Sequence, residues 1–201
     1  MISVTKVKIC GLKRRADIDY VNEAHPDYAG FVFANSKRQI SRDTAEELRS
    51  LLDRKIIPVG VFANSPIDQV AEIAQSGIID VIQLHGGESS EYISRLKTRI
   101  SVPVIQAVNM DEVSISGIPD TDADMLLLDS GMGGTGKCFD WSLAKGIRKD
   151  FFLAGGLNMN NVRKAIDAVR PYAVDISSGV EVNGQKDRDL INSTVRRVRY
   201  V

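Results

Sequence analysis

The sequence predicts an α/β fold: a single-domain (β/α)8 TIM barrel over residues 1–201, with eight parallel strands and outer helices. Eight short runs rich in β-branched and apolar residues begin at intervals of roughly 20–30 residues. They are near-continuously apolar and do not alternate, as in parallel strands covered on both faces. Stretches with helical apolar spacing fill most of the gaps between them. An open doubly wound sheet is the competing arrangement, and eight evenly spaced units favour closure. At 201 residues the chain sits at the small end of the barrel's size range, leaving little room for a second domain.

The first strand is read in KVKICG (6–11) and the second in YAGFVF (28–33). A helix follows in SRDTAEELRSLL (41–52), with Ser as cap, acid in its first turns and apolar residues at helical spacing. IPVGVF (57–62) supplies the third strand. SPIDQVAEIAQSG (65–77) reads as the next helix, with a Ser cap, Pro at the first helical position and Gly at the end. VIQLHG (81–86) and PVIQAV (103–108) are the fourth and fifth strands. Residues 109–123 carry a weak pattern, so helix 5 is expected to be short or absent. DMLLLDS (124–130) is the sixth strand, with a short helix in DWSLAKGI beyond it. FFLAGGL (151–157) and YAVDISSG (172–179) complete the eight, followed by helices in 158–170 and 186–201.

The 26 basic and 26 acidic residues cancel, which argues against a nucleic-acid or membrane surface as partner. No apolar stretch approaches the ~18–20 residues of a membrane span, and MISVTKVKIC lacks the pattern of a signal peptide. Two cysteines, Cys10 and Cys138, make a poor disulfide framework for this length. A reduced, cytoplasmic protein is expected, and the apolar residues of the outer helices are compatible with a monomer or a homodimer.

In such barrels the active site lies at the C-terminal ends of the strands. Asp129 ends strand 6 after Met125-Leu126-Leu127-Leu128, a run that should be buried. It is either a loop-capping carboxylate or a general acid whose apolar surroundings favour the protonated form. Cys10 is either a small core hydrophobe or a base; Lys8, two residues away on the same strand face, would lower the thiol pKa toward the thiolate and is itself a candidate substrate contact. Gln83 and His85 end strand 4 and are candidate polar contacts for a substrate, His85 alternatively fixing neighbouring backbone. Gly155 and Gly156 precede a helix start, and Ser177, Ser178 and Gly179 end strand 8. Loops after strands 7 and 8 commonly hold a phosphate through backbone N–H groups and a helix N-terminus, so a phosphorylated ligand is expected there. Arg38, after strand 2, is either solvated or a bidentate carboxylate clamp over the mouth. No residues show metal-ligand spacing.

SGMGGTGKCFDW (130–141) imitates the opening of a nucleotide-binding P-loop, but Cys138 stands where that loop needs Ser or Thr. It also follows strand 6 of eight, not the first strand of an open sheet. Residues 131–137 are expected instead to form a flap over the mouth.

VKICGL, GFVF…SKRQIS, VGVF and QLHG occur in order along the first four strands. They are followed by LLLDS…GGTGK.FDW, LAGGLN…NV and AVDISSGVE. Together these closely resemble the phosphoribosylanthranilate isomerase family of tryptophan biosynthesis, over essentially the whole chain. The resemblance implies an Amadori rearrangement of a phosphoribosyl substrate without metal or organic cofactor. It implies Cys10 as general base, Asp129 as general acid and Arg38 on the anthranilate carboxylate, with the phosphate on the loops after strands 7 and 8. Gln39 and Gln106 depart from the aromatic and basic residues common at those positions. The histidine-pathway isomerase, which pairs two carboxylates, and a non-catalytic phosphate-binding barrel are the alternatives.

Overall fold

Eight parallel strands close into a barrel in chain order: β1 (Lys6–Cys10), β2 (Tyr28–Val32), β3 (Ile57–Phe62), β4 (Val81–Leu84), β5 (Val104–Asn109), β6 (Met125–Asp129), β7 (Phe151–Leu153) and β8 (Ala173–Ile176). The computed structural model describes residues 5–116, 118, 120–130 and 139–200. The seam closes between β1 and β8, where Lys6 pairs with Ala173 and Lys8 with Asp175. Every strand the apolar runs predict is present, within a few residues of its expected ends.

The helices are α1 (Arg15–Ala24), α2 (Arg42–Leu51), α3 (Ile67–Gln75), α4 (Ser90–Lys97), α5 (Met110–Ser116), α6 (Val162–Val169) and α7 (Arg188–Arg199). Helix α2 starts as expected, Ser41 accepting a hydrogen bond from the Thr44 N–H. At α3 the expectation fails by one residue. Pro66 is itself the cap, and no side chain caps the first turn, so Ser65 does not play that part. The expected helix 5 is short, at seven residues. Beyond β6 the expected helix is only a 3-10 turn over Trp141–Ala144, capped by Asp140 and followed by Gly146 at φ +93. A hairpin of β9 (Glu181–Val182) and β10 (Gln185–Lys186), which matches none of the predicted elements, is turned by Asn183 and Gly184 at φ 52 and 74. An Asn-Gly pair with both residues left-handed is what a tight hairpin requires.

Pleat alternation divides each strand between two cores. On the outer side Val7, Ile9, Leu126, Leu128, Val174 and Ile176 pack in one cluster with the helices. Inside, Val59, Val81, Ile105, Leu127, Phe152 and Ala173 fill the barrel. This apolar plug forces the polar inward residues toward the upper end, where the chemistry must lie. Among the described residues no helix is long and apolar enough to cross a membrane.

Asp187 caps α7 by accepting the Leu190 N–H at 2.9 Å. Asp187→Ala is expected to destabilise the fold by about 1 kcal/mol and lower Tm by roughly 2–4 °C, read by thermal denaturation.

Candidate active site

A cavity of about 310 Å³ opens at the C-terminal ends of the strands, walled by Cys10, Arg38, Asp129, Gly155 and Ser177 among others. Gln83, His85, Gly156 and Ser178 share its lining. Two expected site residues do not. Lys8 is wholly buried beneath the wall, so it supports the site and does not contact what fills the cavity. Gly179 lies behind it; a Cβ there would sit 1.9 Å from the Leu157 carbonyl oxygen, so this glycine lets the loops after β7 and β8 touch. Segment 131–137, the expected flap, and Cys138 lie outside the described residues.

Cys10 owes its place to a gap in the neighbouring strand. It pairs with Gly30, where a Cβ would come 2.6 Å from the thiol sulfur. Below it the Lys8 ammonium donates to Asp175 Oδ2 and to Gln83 Oε1, both at 2.8 Å. Burial alone would lower the Lys8 pKa, but the Asp175 carboxylate and nearby Cys10 outweigh it and raise it, so Lys8 is charged. The expected downward shift of Cys10 does not occur. Burial drives the thiol up, Asp175 adds to that, and the pull of Lys8 and Lys186 is insufficient, leaving Cys10 above its ordinary value. Asp175 Oδ1 is buried with no hydrogen-bond partner among the described residues.

Asp129 also corrects an expectation. Burial pushes it up, as the apolar run implies, but His85 and Ser130 reverse the outcome and hold it below its ordinary value. His85 Nε2 lies 3.3 Å from Asp129 Oδ2, and the Ser130 N–H donates to Oδ1 at 2.7 Å. In the free protein Asp129 is therefore a carboxylate. Gly155 makes room for it: at φ +83, its absent Cβ would fall 2.9 Å from Ser130 Oγ and 3.1 Å from Asp129 Oδ1. Gly156, at φ +63, continues this left-handed turn along the cavity wall.

Arg38 is neither solvated nor free. Its Nε and Nη2 donate to the two oxygens of Glu181 at 2.7 and 2.8 Å, a bidentate pair. Lys186, also buried, donates to Glu181 Oε1 at 2.7 Å and to the Ser177 carbonyl at 2.9 Å. Burial would raise the Glu181 carboxyl, yet Arg38 and Lys186 together push it down to about 2. Glu181 and Lys186 are not singled out by the sequence, and Asp175 is placed by it at the end of strand 8 without a role. The Asn183-Gly184 turn was the available signal, because a hairpin there sets Glu181 directly opposite Lys186. Among the departures, Gln39 donates to the Phe33 carbonyl and Gln106 to the Glu88 carbonyl, and neither lines this cavity.

Residues 7–197 match the family model described as N-(5'phosphoribosyl)anthranilate (PRA) isomerase. The chain belongs to this family. It is 51% identical to the N-(5'-phosphoribosyl)anthranilate isomerase of Endomicrobium trichonymphae, over 96% of this chain and 98% of that one. The crystal structure of the Thermotoga maritima phosphoribosyl anthranilate isomerase superposes with a TM-score of 0.83 at 37% identity, covering 98% of this chain and all of the other. A further isomerase structure, in complex with reduced 1-(o-carboxyphenylamino)-1-deoxyribulose 5-phosphate, matches at 0.82 and 35%, over 98% and 100%.

The Glu181 shift fixes a pH dependence. A carboxyl held at about 2 when folded, and near 4.5 otherwise, stabilises the fold above pH 4.5 and loses that contribution as pH falls toward 2. Thermal melts of the wild type and Glu181→Gln are expected to differ most above pH 5 and to converge by pH 2. A difference that stays constant over that range would contradict the assignment.

Proposed function

We infer that this protein is a phosphoribosylanthranilate isomerase acting in tryptophan biosynthesis. It converts N-(5-phosphoribosyl)anthranilate to 1-(2-carboxyphenylamino)-1-deoxyribulose 5-phosphate. The observation that carries the reading is a thiol and a carboxylate, Cys10 and Asp129, on the walls of one mouth of about 310 Å³ in a chain of this family.

In this reading the phosphate sits on the loops after β7 and β8, beside Gly155, Gly156, Ser177 and Ser178, and Gly179 holds those loops together. Arg38 binds the anthranilate carboxylate through Nη1, the end Glu181 does not use. Asp175 Oδ1, an acceptor without a donor among the described residues, receives a sugar hydroxyl. Asp129 protonates the furanose ring oxygen, the ring C–O bond breaks, and C1 becomes an iminium carbon. The cationic nitrogen acidifies the C2 proton, which Cys10 removes as thiolate, and the enolamine takes a proton at C1 as its C2 hydroxyl becomes the ketone.

The free protein holds both groups in the opposite state. The Asp129 carboxyl is held below its ordinary value and the Cys10 thiol above its own, so the acid-and-thiolate pairing is disfavoured against the resting pair. Substrate supplies the correction. Its phosphate and carboxylate raise Asp129 toward the protonated form, and the iminium cation then favours the thiolate alongside Lys8 and Lys186.

Turnover is followed by substrate fluorescence in the wild type, Cys10→Ala and Asp129→Asn. Each substitution is expected to lower kcat by ~10²–10⁴ with little change in KM. Activity that survives either change removes that residue from the mechanism, and a wild type that binds phosphate ligand without turnover refutes the reading.

A further inference from the structure

The two sides of the mouth are joined by one polar chain, Asp175, Lys8, Gln83, His85, Asp129, of which Gln83 and His85 have no part in the reaction scheme above. Its chemistry has a single consistent direction. Lys8 has only hydrogens to donate, so the Gln83 atom 2.8 Å from its ammonium is the carbonyl oxygen; the inverted amide would set NH2 against NH3+. Gln83 Nε2 then lies 2.9 Å from His85 Nδ1. An amide NH2 can only donate there, so Nδ1 holds a lone pair. A neutral imidazole with a bare Nδ1 carries its proton on Nε2, the atom 3.3 Å from Asp129 Oδ2. Lys8 is 0% and Gln83 1% exposed, so neither of these two links is free to turn into water.

We propose that Gln83, oriented by Lys8, is a positioning residue that locks His85 as the Nε2–H tautomer and so presents Asp129 with a neutral N–H donor. This rests on the isomerase reading, in which Asp129 must accept and then release a proton. A doubly protonated His85 would need an Nδ1–H pointing at the Gln83 amide hydrogens. The chain opposes that state and with it a full His–Asp ion pair, which would hold Asp129 ionised through the catalytic cycle. One buried lysine therefore serves both sides of the site: it faces the thiol of Cys10 directly and reaches the carboxyl of Asp129 through two intermediaries.

The chain has two histidines, so His25→Asn leaves one imidazole to observe. In that background at pH 7.5, ¹⁵N NMR of the imidazole is expected to show His85 as the Nε2–H tautomer. Gln83→Met removes the amide at similar length and should let the Nδ1–H form appear. Gln83→Glu places an acceptor against Nδ1 and should put a proton there. In both variants kcat is expected to fall tenfold or more while KM stays within about threefold, because the substitution acts through Asp129 and not through binding. An Nδ1–H or doubly protonated His85 in the parent protein overturns the proposal. So does a Gln83→Met protein that keeps the parent tautomer, or one whose tautomer shifts while kcat does not. The spectrum is read without substrate, so a protein that fails to isomerise refutes the functional reading while the NMR still decides this one.

Discussion

A lysine ammonium with no exposed surface organises the mouth of this barrel. Taking a cation out of water costs several kcal/mol, which Lys8 offsets chiefly through Asp175 and Gln83 at hydrogen-bond distance. The partnership spans the seam where β1 meets β8, so the charge pair and barrel closure depend on each other. Removing one partner from such a buried pair typically costs about 3–5 kcal/mol, because the other charge is left stranded. Cys10, two residues along the same strand face, inherits its electrostatic surroundings from this pair.

A second buried group of charges holds the other rim. The β9–β10 hairpin brings Glu181 and Lys186 together, and Glu181 in turn grips Arg38 from the loop after β2. The cation assigned to the substrate carboxylate is thus fixed in place before substrate arrives, which limits the side-chain entropy lost on binding. Gly11 accommodates the arrangement: a Cβ there would fall 2.4 Å from Arg38 Cδ. Two charge clusters therefore flank a cavity whose wall after β7 is made by Ala154, Gly155, Gly156 and Leu157.

Much of the architecture was legible in the sequence, because strands covered on both faces must be apolar throughout, and the VIQLHG and DMLLLDS runs announce themselves. The position of Cys10, Asp129, Arg38, Gly155 and Ser177 around one mouth followed from the rule for strand ends. Their charge states did not. Asp129 follows three leucines, which argues for a protonated acid, yet its ionisation is decided by the Ser130 N–H and by His85 from another strand. Lys8 beside Cys10 argues for a thiolate, yet the depth of burial and the Asp175 carboxylate override it. Arg38 and Glu181 are 143 positions apart, and no local pattern joins them. The hairpin that closes this distance has strands of two residues, too short for any periodicity, and only its Asn-Gly turn could have revealed it.

The central claim is that the free site holds its acid ionised and its base protonated, and that ligand charge reverses the first of these. Proton uptake on binding reduced 1-(o-carboxyphenylamino)-1-deoxyribulose 5-phosphate tests it most directly, measured at pH 8, where the ligand phosphate is already a dianion. Uptake approaching one proton per site, lost in Asp129→Asn, is the result this account requires. No uptake by the wild type, or the same uptake by Asp129→Asn, would contradict it.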